Sequence, residues 1–252
     1  RMHYLVLDVE TGTKNNGHPF TKSNKLCAVG IKDKEGTTVY NIEHGDDPYG
    51  DKLRDIKRRI EAAQYVVGFN IKFDLHWIRR YVPDLVVASV FDCQLGEFIL
   101  SGQAVPYPSL SDCVAAFGGR KLDRVESEYW SLGIDTVHVP WDLLAEYCAS
   151  DVELTDKLHV IQREKLQGNM KRMFWLQCDD LLVLEEMEWN GLKYDFEAAS
   201  IVGQELQAEQ LQIALDLDIL IGNPLVNRSS TDHLSALLYG GTIWEDYREE
   251  YT

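Results

Sequence analysis

The stretch YLVLDVETG, residues 4–12, decides the fold that this sequence predicts. Its first four residues are apolar or aromatic and predict a buried strand, which runs directly into Asp8 and Glu10. Side chains two residues apart on a strand point to the same face, so we expect these two carboxylates side by side. Such a pair repels unless a cation joins it, and a hard divalent ion is the natural partner. The pattern fits equally a strand that ends in an acidic loop.

The pattern of apolar runs around this stretch predicts an α/β domain. We expect five strands, at residues 4–9, 26–31, 38–43, 65–70 and 85–91. The first three are joined by polar linkers and read as antiparallel neighbours, whereas the later ones alternate with helices and imply parallel pairing. The prediction is therefore a mixed five-stranded sheet flanked by helices.

Helical periodicity dominates the chain from Trp141 onwards. The pattern predicts long helices that extend the chain beyond the sheet, with a boundary near Gly168. We therefore divide the sequence into a first domain, 1–168, and an α-helical segment, 169–252. At 252 residues, the chain is long enough for one well-cored domain and a smaller unit.

Composition excludes several classes of protein. No apolar run approaches the roughly 20 residues of a membrane span, and no signal-peptide pattern is present. The five cysteines are odd in number and include no C-x-x-C pair, which disfavours zinc and disulfides and favours the cytoplasm. The net charge of −16 argues against a protein whose whole surface coats nucleic acid. Most of this negative charge lies in residues 166–252, which hold 16 acidic and only 5 basic residues, so the first part of the chain is closer to neutral.

Two further motifs supply acidic residues. GFNIKFD, residues 68–74, places Asp74 just after a buried strand, where sites form in open α/β sheets. AEYCASD, residues 145–151, places Tyr147 and Asp151 one turn apart on a helix. Taken alone, the first aspartate fits a plain helix N-terminus and the second pair fits a surface contact.

Together the motifs point to a metal site. Their four carboxylates would repel strongly if they converged without cations, whereas two divalent ions would turn them into a site for in-line displacement at phosphorus. The candidate metal ligands are Asp8, Glu10, Asp74 and Asp151.

The order D-x-E, N-x-x-aromatic-D, Y-x-x-x-D resembles that of the DEDD 3′→5′ exonucleases. Tyr147, four residues before the last aspartate, is typical of the Tyr-type branch, and Glu146 stands where the His-type branch carries histidine. The resemblance implies a ribonuclease H-like fold and an exonuclease that uses two divalent cations, Mg²⁺ or Mn²⁺.

Other stretches resemble the proofreading domains of family A DNA polymerases of phage or bacterial type. FDCQLGEFIL (91–100) and SLSDCVAAFGG (109–119) are similar to elements that follow the second exonuclease motif. LLVLEEMEWNGLKYD (181–195) and NPLVNRSSTDHLSALLYGG (223–241) are similar to the link between exonuclease and polymerase. Later polymerase motifs are absent, so the resemblance implies a chain truncated before the palm that does not synthesise DNA.

The resemblance also implies a role for each site residue. Asp8 bridges both metals, Glu10 and Asp151 complete the ligands of the metal that holds the attacking water, and Asp74 holds the second metal. Tyr147 orients the water. The two ions, roughly 4 Å apart, activate the water and stabilise the leaving 3′ oxygen. The products are 5′-mononucleotides released from a single-stranded or mispaired DNA 3′ end.

Three residues match family positions that contact the terminal nucleotide: Thr11, Asn70 and Phe73. Thr11 and Asn70 also fit a simple strand-end role. Phe73 replaces a frequent tyrosine, which removes a hydroxyl and keeps a stacking surface. Residues 12–24, which follow the first motif, are more numerous than the family usually has there. Counting therefore does not place the apolar residue that normally follows D-x-E-T and wedges against the nucleotide, and Phe20 is the candidate by residue type.

The expected partners are a single-stranded DNA 3′ end and the polymerase portion of the same chain, with no membrane, in a bacterial cytoplasm. One alternative is a ribonuclease D-like or Werner-like exonuclease, which carries the same motifs and acts on RNA or DNA. Another is a catalytically silent module that only binds nucleic acid.

Overall fold

The computed structural model describes residues 3–43 and 50–243, and the described part contains a five-stranded mixed sheet and nine α-helices. The strands are β1 (Tyr4–Thr11), β2 (Leu26–Asp33), β3 (Gly36–Asn41), β4 (Tyr65–Gly68) and β5 (Val90–Asp92). The helices are α1 (Gly50–Ala62), α2 (Ile71–Tyr81), α3 (Cys93–Leu100), α4 (Leu110–Ala115), α5 (Arg124–Glu128), α6 (Trp141–Lys165), α7 (Gly168–Asn190), α8 (Phe196–Ile221) and α9 (Thr231–Tyr239).

The sheet has the strand order β3-β2-β1-β4-β5. Strands β1, β2 and β3 pair antiparallel, whereas β4 pairs parallel with β1, and β5 pairs parallel with β4. Helix α1 precedes β4, and helix α2 connects β4 to β5. The predicted mixed α/β sheet is confirmed. Strand β1 lies at its centre because Leu5, Val6 and Leu7 can be buried between helices on both faces.

Two predicted strands are longer than the observed ones. The predicted strand 85–91 is wrong over residues 85–89, since β5 begins only at Val90 and Val86 is 67% exposed. The apolar residues before β5 belong to a loop, which periodicity in a short run does not distinguish from a strand. Strand β4 ends at Gly68, and Asn70 adopts a left-handed conformation with φ of 60° that starts α2 instead of extending the strand.

Helix α6 lies close against the sheet beside Asp8. The pairing of β1 with β2 sets Gly30 opposite Asp8. A Cβ atom on Gly30 would lie 2.7 Å from both the Cys148 Sγ and a methyl carbon of Val152, so only glycine allows the helix to approach this far. This contact fixes the part of α6 that carries the Y-x-x-x-D motif against the carboxylates of β1.

Helix α7 packs on the same core as the sheet. Phe174 and Cys178 are fully buried in the main hydrophobic cluster, and Glu185 contacts Arg79 and His76 of α2. The chain accordingly divides into one compact unit, Arg1–Gly191, and a second, Leu192–Thr252. The domain boundary predicted near Gly168 stays a prediction, and the two compact units divide one helix later, after Gly191.

The second unit contains α8 and α9. Asp195 caps α8 by accepting a hydrogen bond from the Ala198 N–H, and Ser230 caps α9 by accepting one from the His233 N–H. None of the described residues from 192 to 243 is buried. In the part of the chain that the structure describes, no helix is both long enough and apolar enough for a membrane span.

Candidate active site

Asp8 and Glu10 project from the same face of β1, as their spacing predicts. One carboxylate oxygen of each and the Sγ of Cys148 all lie within 4.8 Å of one another. The Cys148 thiol donates a long hydrogen bond of 3.8 Å to the Asp8 Oδ2. Glu10 is 6% exposed, so its carboxylate is largely withdrawn from bulk water.

Asp74 reaches the same place from the first turn of α2. Its Oδ1 accepts a hydrogen bond of 3.0 Å from the backbone N–H of Val9, the residue between the two strand carboxylates. Helix α2 follows β4 after only two residues, Phe69 and Asn70, and β4 pairs with β1. The first turn of α2 therefore lies close to β1. The buried Asp74 therefore lies beside the end of β1 and does not serve simply as a helix N-terminal charge.

Tyr147 and Asp151 approach from α6, and both are buried. The Lys121 ammonium lies 3.0 Å from the Asp151 Oδ2 and 4.9 Å from the centre of the Tyr147 ring. The Asp151 Oδ1 is buried and has no hydrogen-bond partner among the described residues. The second oxygen of this carboxylate is thus left available to a ligand.

The carboxylates perturb one another. Burial and the charge of Asp151 raise the pKa of Asp8 to about 8. Burial and the charge of Asp8 raise the pKa values of both Glu10 and Asp74 well above their usual range. Burial also raises the pKa of Asp151 to about 6, although Lys121 opposes the shift. The raised pKa values follow from the burial of four carboxylates close together, which the single Lys121 ammonium offsets only in part.

The donor set fits a hard divalent cation. Four carboxylates surround one region, and the unpaired Oδ1 of Asp151 adds a buried oxygen acceptor without a donor. Mg²⁺ and Mn²⁺ prefer such oxygen ligands. Burial raises the pKa of the Cys148 thiol well above its usual value, and its soft sulfur is a poor ligand for these hard ions.

Thr11 and Phe73 both lie close to Gly17. A Cβ atom on this glycine, whose φ is 72°, would lie 2.7 Å from the Thr11 Oγ1 and 3.3 Å from the Phe73 ring. The Trp77 indole N–H donates to the Gly17 carbonyl at 2.9 Å and fixes the loop there. Both predicted nucleotide contacts are thus brought together next to the end of β1.

The other predicted contacts are placed differently. Asn70 is exposed at the start of α2, and its side chain makes no capping hydrogen bond. Phe20 is 48% exposed and lies 5.4 Å from the His76 ring and 5.9 Å from the Trp189 ring. His76 is buried and contacts both Glu185 and Glu188 of α7.

Three residues near the site were missed by sequence reasoning. Cys148 could have been noticed because it lies inside the Y-x-x-x-D motif. Lys121 and Glu126 come from a polar stretch without periodicity, and no spacing connects them to α6. The structure places the Glu126 Oε1 2.6 Å from the Tyr147 hydroxyl and 3.1 Å from the Lys121 Nζ.

The sequence is similar to those of known exonuclease domains and DNA polymerases. The model of the exonuclease family of DNA polymerase A, described as a 3′-5′ exonuclease, matches residues 1–167. DNA polymerase DpoZ of Acinetobacter phage SH-Ab 15497 is 25% identical over 211 residues, which are 74% of this chain and 32% of the relative. DNA polymerase I of Aquifex aeolicus (strain VF5) is 25% identical over 166 residues, 65% of this chain and 24% of the relative. The chain thus spans a quarter to a third of these curated relatives.

Solved structures share the fold. Mg²⁺-bound NrnC of Brucella melitensis has a TM-score of 0.50 at 17% identity, covering 78% of this chain and 90% of NrnC. RNase D of Escherichia coli, an exoribonuclease involved in structured RNA processing, has a TM-score of 0.51 at 17% identity, covering 74% of this chain and 46% of its own. The predicted ribonuclease H-like sheet is therefore confirmed.

Proposed function

Because this chain belongs to the 3′-5′ exonuclease family of the family A DNA polymerases, we propose that it removes 5′-mononucleotides from single-stranded or mispaired DNA 3′ ends. We propose further that it is the proofreading part of a longer DNA polymerase that acts in replication. The observation that carries the proposal is the meeting of acidic side chains from β1, α2 and α6 at one end of β1. Their number and their raised pKa values suit a site that is completed by cations.

The carboxylates of Asp8, Glu10, Asp74 and Asp151 are the proposed ligands of two divalent ions, Mg²⁺ or Mn²⁺. Such ions supply an activated water and stabilise charge on the leaving oxygen. Tyr147 orients the attacking water by hydrogen bonding. Burial and the Asp151 and Glu10 carboxylates raise the pKa of Tyr147, so its phenol stays protonated and positions the water without ionising.

Thr11, Asn70 and Phe73 are the proposed contacts of the terminal nucleotide. Thr11 and Phe73 both lie close to Gly17, and Thr11 directly follows the carboxylate residue Glu10 on β1, which suits contact with the sugar or base next to the last phosphodiester. The half-buried Phe73 ring offers a stacking face that tolerates any base. Asn70 has an exposed side chain at the start of α2 that is free of a capping role.

RNA is the second candidate substrate, since the fold neighbours include RNase D. The sequence relatives at 25% identity are DNA polymerases, and this favours DNA. Matched DNA and RNA oligonucleotides of one sequence decide between them. Faster degradation of RNA would replace the proofreading assignment by an exoribonuclease.

The test of the proposed function uses a 5′-labelled single-stranded DNA oligonucleotide with Mg²⁺, with Mn²⁺ or with EDTA. We expect a ladder that shortens from the 3′ end with either ion and stops in EDTA. Asp8→Asn, which keeps the shape and removes the charge, should lower the rate at least about 1,000-fold.

Asp156→Asn is the matched control, because Asp156 is a half-buried carboxylate on α6 that pairs with Lys32 at 2.9 Å and not with the site. It should keep the wild-type rate. An intact oligonucleotide in both metals, with folded protein, would contradict the exonuclease and leave a silent nucleic-acid-binding module.

A further inference from the structure

The Tyr147 hydroxyl gives its only proton to a residue outside the three exonuclease motifs. The Glu126 Oε1 accepts this hydrogen bond at 2.6 Å, and Glu126 lies on the short helix α5, whereas Tyr147 lies on α6. A phenol has one O–H donor, so the oxygen of Tyr147 can then only accept further hydrogen bonds. A water in the site must therefore donate to Tyr147 and cannot accept from it.

Two contacts hold Glu126 in place, the burial of the adjacent Val125 and an ion pair with Lys121. Its neighbour Val125 is fully buried in a cluster with Leu144, Tyr147 and Cys148, which anchors α5 against α6. The Lys121 ammonium lies 3.1 Å from the same Glu126 oxygen and bridges it to Asp151. The carboxylate is thus fixed by packing and by charge, although its side chain is 48% exposed.

The segment after α5 restrains the tyrosine ring as well. The Trp130 ring meets the Tyr147 ring edge-on with centroids 5.4 Å apart, and the Trp130 indole N–H donates to the Thr136 hydroxyl at 3.1 Å. Thr136 donates in turn to the backbone carbonyl of Thr11, at the end of β1, at 2.6 Å. The segment that carries Glu126 is therefore tied to two of the three elements that form the site, α6 and β1.

We propose that Glu126 is a positioning residue for the exonuclease reaction, which fixes the direction of the Tyr147 hydroxyl so that its oxygen accepts a proton of the attacking water. This inference rests on the proposed function and deepens it. A water held by a divalent cation would have one lone pair on the ion and one left. If that water donates to Tyr147, the second lone pair stays free for attack on phosphorus, whereas a hydrogen bond accepted from Tyr147 would occupy it. Lys121 supports this role, because its ammonium pairs with the Glu126 oxygen that accepts the hydrogen bond from the Tyr147 hydroxyl.

The test is a double-mutant cycle of Glu126→Ala and Tyr147→Phe, with nucleotide release measured at saturating and at limiting DNA. We expect Glu126→Ala to lower kcat about 10-fold or more with little change in KM, as loss of an orienting partner does. In the Tyr147→Phe background the same substitution should change kcat less than about twofold, because the hydroxyl is already absent. A full additional loss would overturn the proposal.

Matched variants separate this role from charge and folding. Glu126→Gln retains an oxygen acceptor and should recover most of kcat. Glu128→Ala removes the same charge from the same helix, where Glu128 pairs only with the exposed Arg124 among its described contacts, and should leave kcat unchanged. A loss in Glu128→Ala equal to that in Glu126→Ala would reduce the effect to surface charge and overturn the proposal.

Two further measurements do not depend on turnover. Mn²⁺ affinity should stay within about twofold of wild type in Glu126→Ala and fall in Asp151→Asn; an equal fall in both would make Glu126 a ligand instead. The Tm losses of Glu126→Ala and Tyr147→Phe in EDTA should be non-additive. If wild-type protein degrades no oligonucleotide, the proposed function fails, whereas additive Tm losses mean that the Glu126–Tyr147 contact fails.

Discussion

The two compact units of this chain bury their residues in opposite ways. The first, Arg1–Gly191, has a continuous hydrophobic core and also buries the charged groups of the candidate site. The second, Leu192–Thr252, buries no residue in its described part, although α8 carries apolar residues such as Leu206 and Ile219 at more than half exposure. From this difference we conclude that the first unit supplies both the stability of the fold and the candidate active site. The second unit is helical without a buried residue in its described part, so helix content alone does not show where a stable core or a site lies.

Truncation gives the largest expected effect. A chain that ends at Gly191 should fold with a Tm within roughly 2 °C of the full chain, because no described residue beyond it is buried. A chain that ends at Gln167 loses α7 with Phe174 and Cys178, and this should remove more than about 5 kcal/mol, enough to abolish cooperative unfolding. Thermal melts followed by circular dichroism check both, and equal behaviour of the two truncations would break the comparison.

Single substitutions give the next largest effect. Phe174 is fully buried beside Phe91, with ring centroids 4.4 Å apart, so Phe174→Ala should cost about 3–5 kcal/mol of unfolding free energy. Leu206 is 59% exposed in the middle of α8, and Leu206→Ala should cost less than about 0.5 kcal/mol. Urea denaturation measures both, and a large loss at Leu206 would mean that α8 has a core of its own.

These elements show how far sequence reasoning reaches. The four carboxylates and Tyr147 could be predicted because a cation site demands particular residue types at spacings that strands and helices impose. The membership of α7 in the first unit could not, since its periodicity is the same whether its apolar face meets the sheet or a separate domain. Only the packing of Phe174 against β5 decides that question.

Two other features escape prediction for physical reasons. The loop before β5 exposes Val86, and apolar composition alone reads such a run as a buried strand. Lys121 and Glu126 reach the site through an irregular segment, whose path depends on the burial of Val125 and on the hydrogen bond from Trp130 to Thr136. A pattern in sequence describes elements, whereas these contacts arise between elements.

The pH dependence of stability gives a smaller effect that belongs to the first unit. The pKa of Asp8 is raised to about 8, whereas an unfolded aspartate titrates near 4. The folded state therefore binds more protons than the unfolded state between these values, and stability is lost as pH rises through this window. In EDTA, we expect Tm to fall by about 5 °C from pH 5.5 to pH 8.5.

The carboxylate cluster can be separated from the rest of the protein in this experiment. Asp8→Asn should flatten the fall of Tm with pH, because the variant has no proton to lose at that position. Asp218→Asn removes an exposed carboxylate of α8 and should leave the fall unchanged. Saturating Mg²⁺ should also oppose the fall if the carboxylates bind it, since a cation favours their charged forms. A Tm that rises from pH 5.5 to 8.5 in EDTA would contradict the burial of these charges.

Ion pairs give the smallest expected effect. Each unit contains one that can be compared with the other, because the two pairs differ mainly in how exposed they are. Glu185 of α7 is 10% exposed and lies 2.9 Å from Arg79, whereas Arg228 and Asp218 in the second unit pair at 3.3 Å with 38% and 59% exposure. Glu185→Ala should cost about 1 kcal/mol, since Arg79 keeps Glu186 as a partner. Arg228→Ala should cost less than about 0.5 kcal/mol, because water screens an exposed pair. Urea denaturation in low and high salt measures the loss of unfolding free energy in both variants. A salt-sensitive loss in Arg228→Ala that is larger than the loss in Glu185→Ala would mean that exposure does not rank these ion pairs. The contrast between the two units would then rest on apolar packing alone.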